Sequence, residues 1–391
     1  VLASHGTGQL KNGWSGVVAL GNRWGASGFQ NGTFYDAQSL FVSVEKQWET
    51  HSLNATLIAT PNRRGKSSPN TQEVYDLKGI RYNEYWGMQS GEARNSRVKR
   101  IVEPIVMLNH KWNLSAKTTL RTNVGIQFGE VGNSRIDYPG GASPSPSYYQ
   151  KLPSYFLTQS NGADYEGAYR HEQEFRQNGQ LDWNRFYDAN LHTKNAAYIL
   201  YEDRNDDNQL FANSILRTEL NDSITLIGSL QHRSFTSENF AEILDLLGAS
   251  GYLNVDAYEG FQFDLNHPNR IAAVGDKIRY HYGLEACINE ASAVAHFHYP
   301  KLSGYFAGGY TATQYQRDGK YKDEAYLDTS FGKSKKLSFG SGSLKAGLTY
   351  NIKNKHWLQA SAAHIQRAPS LRNSFSNARE TNAVAGEQSN N

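Results

Sequence analysis

HKWNLSAKTTLRTNVGIQFG, residues 110–129, decides how this chain is read. From Leu120 onward it alternates. Leu120, Thr122, Val124, Ile126 and Phe128 fall on one side, and Arg121, Asn123, Gly125 and Gln127 on the other. A period of two is a β-strand with one apolar and one polar face. The fold follows from what covers the apolar face, a protein core or lipid.

The rest of the sequence answers by the spacing of its connections. QLKNGW (9–14) is a tight polar turn, and a longer Gly-rich gap follows over about 23–38. SLFVSVEKQW turns at ETHS into LNATLIAT, and a long loop runs over about 61–97. RIVEPIVMLNHKW turns at NLSAK into TTLRTNVGIQFG, before a very long loop from about 130 to the 190s. NQLFANSILRTEL turns at ND into SITLIGSLQHR, ahead of an excursion over about 235–275. ASAVAHFHYP turns at PK into LSGYFAGGYTATQY, and after one more loop SLKAGLTYNI turns at KNK into HWLQASAAHIQ. Six hairpins with short turns at one end and long loops at the other fit a membrane-spanning barrel. A soluble sandwich or propeller has short connections at both ends, and structureless loops this long are uncommon in compact soluble domains.

The faces agree with lipid outside and water inside. Thr225, Ser229, Gln231 and Arg233 oppose Ile224, Leu226 and Leu230, while Lys345 and Thr349 oppose Leu344, Ala346, Leu348 and Tyr350. The lumen-facing set is therefore Arg121, Asn123, Gln127, Thr225, Ser229, Gln231, Lys345 and Thr349. The lipid-facing set is Leu120, Val124, Ile126, Phe128, Leu226, Leu230, Leu344 and Leu348. Trp14, Trp48, Trp112, Tyr299 and Trp357 lie beside short turns, as an aromatic girdle at a membrane interface does. The expected class is all-β: a partial transmembrane antiparallel barrel of about 12 strands.

Composition narrows the function. The formal net charge is only +3, which gives no electrostatic case for nucleic acid. The single cysteine, Cys287, excludes an internal disulfide and reads as a small buried or half-buried residue. No apolar run is long enough for a transmembrane helix. There is no G-x-S-x-G, P-loop, H-E-x-x-H or C-x-x-C, so the expectation is no enzyme and no cofactor. The chain begins and ends in strand-like and loop-like material with no initiator Met or signal peptide, and it reads as an internal fragment.

Some segments invite a more specific reading. DRNDDN (203–208) places Asp203, Asn205 and Asp207 at positions 1, 3 and 5 of a calcium loop. Asn208 stands where Gly is needed and Ser214 where Glu is needed, so a solvated turn competes with a Ca²⁺ site. His296 and His298 share a strand face, as metal ligands or as plain wall residues. NRRGK (62–66) with Arg94, Arg97, Lys99 and Arg100 is basic, either a rim facing lipopolysaccharide phosphates or an anionic-ligand site. FAGG (306–309) lies in strand pattern. SENFAEILDLLGAS reads as a helix with Phe240, Ile243, Leu244 and Leu247 on one side and Gly248 as its C-cap, and GQLDWNRFYDANL (179–191) reads as a weaker one.

NRRGKSSPNTQEVYDLKG (62–79) and YWGMQSGEARNSRVKRIVEPIVMLNHKW (85–112) resemble the barrel of TonB-dependent outer-membrane receptors, of the type that often carries a carboxypeptidase-regulatory-like domain. So do LPSYF (152–156), YEDRNDD (201–207), DLLGASGYLNVDAY (245–258), GFQFDLNHPNR (260–270) and RAPSLRNSF (367–375). The resemblance implies a 22-stranded barrel around a plug, with energy passed from the inner membrane through TonB. Plug, signal peptide and C-terminal strands are absent from this stretch, so two strand edges should be unpaired and the stretch should not transport alone. The implied partners are outer-membrane lipid and lipopolysaccharide, the TonB complex acting through the plug, and a surface lipoprotein. The implied cargo is a scarce nutrient: a glycan, a peptide, a siderophore or another metal chelate. The alternative is a plugless porin or surface-binding barrel.

Overall fold

A computed structural model describes residues 2–353 and 356–386. Twelve antiparallel strands form one sheet in strict sequence order: β1 (Leu2–Gly6), β2 (Trp14–Gly25), β3 (Tyr35–Gln47), β4 (His51–Ala59), β5 (Ile105–Ser115), β6 (Thr118–Asp137), β7 (Ile199–Asn221), β8 (Ile224–Asp245), β9 (Lys277–His298), β10 (Leu302–Gly319), β11 (Leu337–Ile352) and β12 (His356–Ile365). All six expected hairpins are present. The last turn, KNK, lies partly outside the described residues, as does the end of the terminal AGEQSNN segment. Short strands Asn62–Gly65 and Val98–Val102 prolong the sheet above β3–β6. Among the described residues β1 pairs only with β2 and β12 only with β11, which leaves their outer edges unpaired there.

The register makes the sheet a barrel wall. Ser15, Glu45, Asn54, Asn109, Asn123, Asn213, Gln231, Glu290, Thr311 and Ser341 are successive direct partners across β2 to β11. This polar row starts beside the short turn after β3 and finishes toward the long-loop end of β11. A perpendicular row can climb in this way only if each strand is offset from the last, and that stagger tilts strands about a barrel axis. The neighbouring row on the other face runs Val42, Leu57, Val106, Ile126 and Leu210.

Buried apolar clusters lie at the long-loop end, because the apolar face of the sheet is left uncovered. Gln72–Lys78 forms α1, and residues 138–198 carry α2 (Pro153–Leu157), α3 (Tyr165–Asn178) and α4 (Trp183–Leu191). Trp183 and Phe186 of α4 pack with Tyr198, Leu200 and Leu247. α4 occupies the expected 179–191 segment and is capped by Asp182, which accepts from Arg185 N at 3.3 Å. A second cluster joins Ile199, Tyr201 and Ile243 to Tyr252, Ala272 and Ile278.

Two expectations are corrected. Residues 237–245 are not helical: β8 continues through them, and the chain then turns at Leu247 and Gly248, both with positive φ. Partners on both sides, β7 and β9, hold this stretch in the sheet. DRNDDN is neither a turn nor a calcium loop but the middle of β7, hydrogen-bonded along its length to β6 and β8.

Candidate ligand-facing wall

The register gathers the sequence-derived polar residues on one face. Arg121, Asn123 and Gln127 of β6 share it with Thr225, Ser229 and Gln231 of β8 and with Lys345 and Thr349 of β11, by way of the pairings between them. Side chains bond along the face. Asn123 Nδ2 donates to Asn213 Oδ1 at 2.7 Å, Asn109 Nδ2 to Asn54 Oδ1 at 3.2 Å, and Asn54 Nδ2 to Ser43 Oγ at 2.8 Å. Ser229 and Ser292 share a 2.6 Å hydroxyl contact, and Arg233 donates twice to Gln209 Oε1. This lower wall is mostly uncharged amide and hydroxyl.

The opposite face carries all eight residues expected on lipid. Val124, Ile126, Phe128, Leu230, Leu344 and Leu348 are exposed, and Leu120 and Leu226 partly so. Trp14, Trp112 and Tyr299 extend this face toward the short turns, and Lys46 Nζ lies 5.3 Å from the Trp14 ring and 5.8 Å from that of Trp48. His51 stacks between His110 and Trp112 at centroid distances of 5.2 Å. Trp357 departs from the expectation. It pairs with Asn351 on the polar-face parity, and Leu358 takes the outward position.

Toward the long loops the polar face becomes charged. A second row runs Tyr35, Arg64, Lys99, Asn133 and Asp203. Lys66 Nζ donates to Asn133 Oδ1 at 2.6 Å. Asp203 is 14% exposed; it binds Arg135, accepts from Tyr280 Oη at 2.7 Å and lies 3.8 Å from Arg379. Asn205 bonds Asn239 across the strand pair, and Asp207 stands opposite Ser237. Alternation splits the basic segment. Arg63 and Arg100 share the apolar-face parity, where Arg100 pairs with Glu130, while Arg64 and Lys99 point with Asn133. Arg94 is neutralised by Asp245 at 2.7 Å. Lys66 is held below the ordinary lysine range by burial, and further by Lys99, Arg97, Arg135 and Arg64.

The segment after β12 folds back over this face. Phe375, with Leu371, Ala378 and Val384, packs on Ala286, Tyr315 and Leu337. Arg317, 2% exposed, fixes it by donating to the carbonyl oxygens of Ala378, Ser330 and Arg379 and to Asn382 Oδ1. Arg379 then lies 4.3 Å over the Tyr280 ring.

His296 sits on the polar face 6.0 Å from Tyr305, and among the described residues no group of three or more His, Cys, Asp or Glu could hold a metal. FAGG lies inside β10 as expected. Sequence reading missed Asn54, Asn109, Arg379 and Tyr280 as members of this wall. Their alternation was visible, but the register joining separate hairpins was not.

No protein-family model matches this chain, and no curated protein matches it either. Solved structures do. The ferric-catecholate import receptor Fiu of E. coli K12, open form, aligns with a TM-score of 0.53 at 12% identity over 94% of this chain and 54% of that one. The siderophore receptor PiuA from Acinetobacter baumannii gives 0.52 at 8%, over 90% and 45%. The unliganded ferric citrate transporter FecA gives 0.56 at 7%, over 92% and 40%. The chain thus spans about half the length of the structures it matches. Its fold is that of part of an outer-membrane receptor β-barrel.

Proposed function

We propose that this chain is part of an outer-membrane receptor that takes up a scarce nutrient with energy delivered by TonB. One observation carries the reading: a staggered twelve-strand antiparallel wall with a continuous polar row on one face and exposed aliphatic residues on the other. Such a wall is stable where lipid meets one side and water the other. The named receptors and transporters of similar fold support uptake as its purpose.

In this reading Asn123, Asn213, Gln231 and their row line the lumen. Val124, Leu226 and Leu344 meet acyl chains, and Trp14, Trp48, Trp112 and Tyr299 mark the periplasmic interface. Cargo enters between the long loops, meets the wall around Asp203, and passes when a plug inside the barrel is remodelled. Lipid and lipopolysaccharide surround it, and a surface lipoprotein is a candidate lid. The resemblance to receptors with a carboxypeptidase-regulatory-like domain adds the expectation of such a domain ahead of the plug. Glycans, peptides and metal chelates are the cargo classes to test.

The test is uptake by cells expressing the full-length gene, with and without a functional TonB and with a protonophore. Accumulation of one cargo class that stops in both treatments supports the proposal. Accumulation indifferent to both would make the barrel a passive porin.

A further inference from the structure

The charged row at the mouth has an unusual balance. Arg64, Lys66, Lys99, Arg135 and Arg379 gather around Asn133 and Asp203, linked by direct strand pairing, by the Lys66–Asn133 hydrogen bond and by the contacts of Asp203. Arg97 adds a sixth cation near Lys66. Asp203 is the carboxylate bonded within this group, where Arg135 and the Tyr280 hydroxyl already engage it, and Glu103 acts on Lys99 from beyond ion-pair distance. Lys66 and Lys99 are half-buried and have no carboxylate within ion-pair distance among the described residues. Like charges held together out of bulk water are costly, and a fold keeps them where a counter-charge arrives from outside.

We infer that this patch is an anion-recognition site, and that the cargo presents carboxylate or phosphate groups to Lys66, Lys99 and Arg64 as it enters. The inference rests on the uptake reading for its biological purpose, while its chemistry is independent of transport. The same groups occur on lipid headgroups, and the register separates the two sources. Arg64 and Lys99 share the face of Asn133 and Asp203, whereas Arg63 and Arg100 share the face of Val106 and Ile126. Arg379 reaches over Tyr280 from the returning segment and is 47% exposed on its side chain, so it closes the site from above.

The experiment is calorimetric titration of the full-length protein in detergent micelles with citrate and with inorganic phosphate, using glucose as the neutral comparator. The inference expects anion binding that weakens with added salt and no heat from glucose. Lys99→Gln should weaken citrate binding at least tenfold, and Arg64→Gln, at an exposed side chain, should weaken it in the same direction. Both variants remove a like charge, so both should unfold at the wild-type temperature or above it. Arg63→Gln should bind citrate as the wild type does. Undiminished citrate binding in both Lys99→Gln and Arg64→Gln overturns the site. Loss in Arg63→Gln alone overturns it too, and assigns the anion to the lipid side. A protein that imports a neutral cargo by TonB fails this test and still passes the uptake test.

Discussion

Asn123 Nδ2 donates to Asn213 Oδ1 at 2.7 Å, and the very next residue, Val124, faces the opposite way and is 38% exposed. One residue step separates a bonded amide row from bare aliphatic surface. Arginine placed at Val124 or Leu226 of the full-length protein is expected to cost about 2–4 kcal/mol if the site is at mid-bilayer. Asn123→Arg loses one neutral hydrogen bond in a wet wall, about 1 kcal/mol or less. Unfolding titrations in lipid vesicles measure the difference, and equal costs at Asn123 and Val124 contradict the assignment of faces.

The helical lobe depends on Asn190. Its side-chain amide donates to the carbonyls of Tyr198, Leu246 and Leu247 and accepts from the backbone N–H of Ala197 and Tyr198, all within 3.0 Å. Asn190→Ala strands these groups in a buried setting and should destabilise the lobe by roughly 2 kcal/mol or more. Hydrogen exchange should speed up across residues 183–198 and 245–248 and stay unchanged in β10 and β11.

Those elements show what was legible. The hairpins could be read because their strands have one polar and one apolar face. Above that zone both faces are covered: Phe240 is 2% exposed and Ile243 0%, on opposite sides of β8. Alternation disappears there, and Phe240, Ile243, Leu244 and Leu247 imitate a helical stripe. DRNDDN failed for the converse reason. Its polar side chains look like a loop, but inside the sheet Asp203 pairs with Arg135, Arg204 with Glu130 and Asn205 with Asn239. The amide wall was half legible, since Asn123, Ser229 and Gln231 announce a polar face. Their alignment with Asn54 and Glu290 is a matter of register between hairpins separated by long loops.

Gly87 locks the small hairpin Trp86–Asn95 against the lobe. A Cβ there would stand 1.8 Å from the Leu181 carbonyl oxygen, which accepts no compression. Gly87→Ala should therefore cost about 1–3 kcal/mol by overpacking. Limited proteolysis should cut between residues 80 and 97 in the variant and spare the wild type.

Tyr82 supplies a pH signature. Its hydroxyl donates to Gly179 O at 2.7 Å, and burial, reinforced by Glu84, raises its pKa well above 10.0. The unfolded chain ionises this phenol near 10 while the folded chain does not. Above about pH 10 the unfolded state then binds fewer protons, so this phenol leaves stability unchanged at lower pH and lowers it as pH rises beyond that point. Tyr82→Phe should flatten that alkaline limb in thermal melts, and an unchanged limb would place the phenol in water.

Alternate residues of β6 are assigned to lipid and to water, and spin labels attached to single cysteines at positions 120 to 128 of the full-length protein in vesicles, in a Cys287→Ser background, report the surroundings of each. Labels at 120, 124, 126 and 128 should relax with dissolved oxygen, and those at 121, 123 and 127 with a water-soluble nickel chelate. Accessibility without this two-residue period, or with the two sets exchanged, contradicts that assignment.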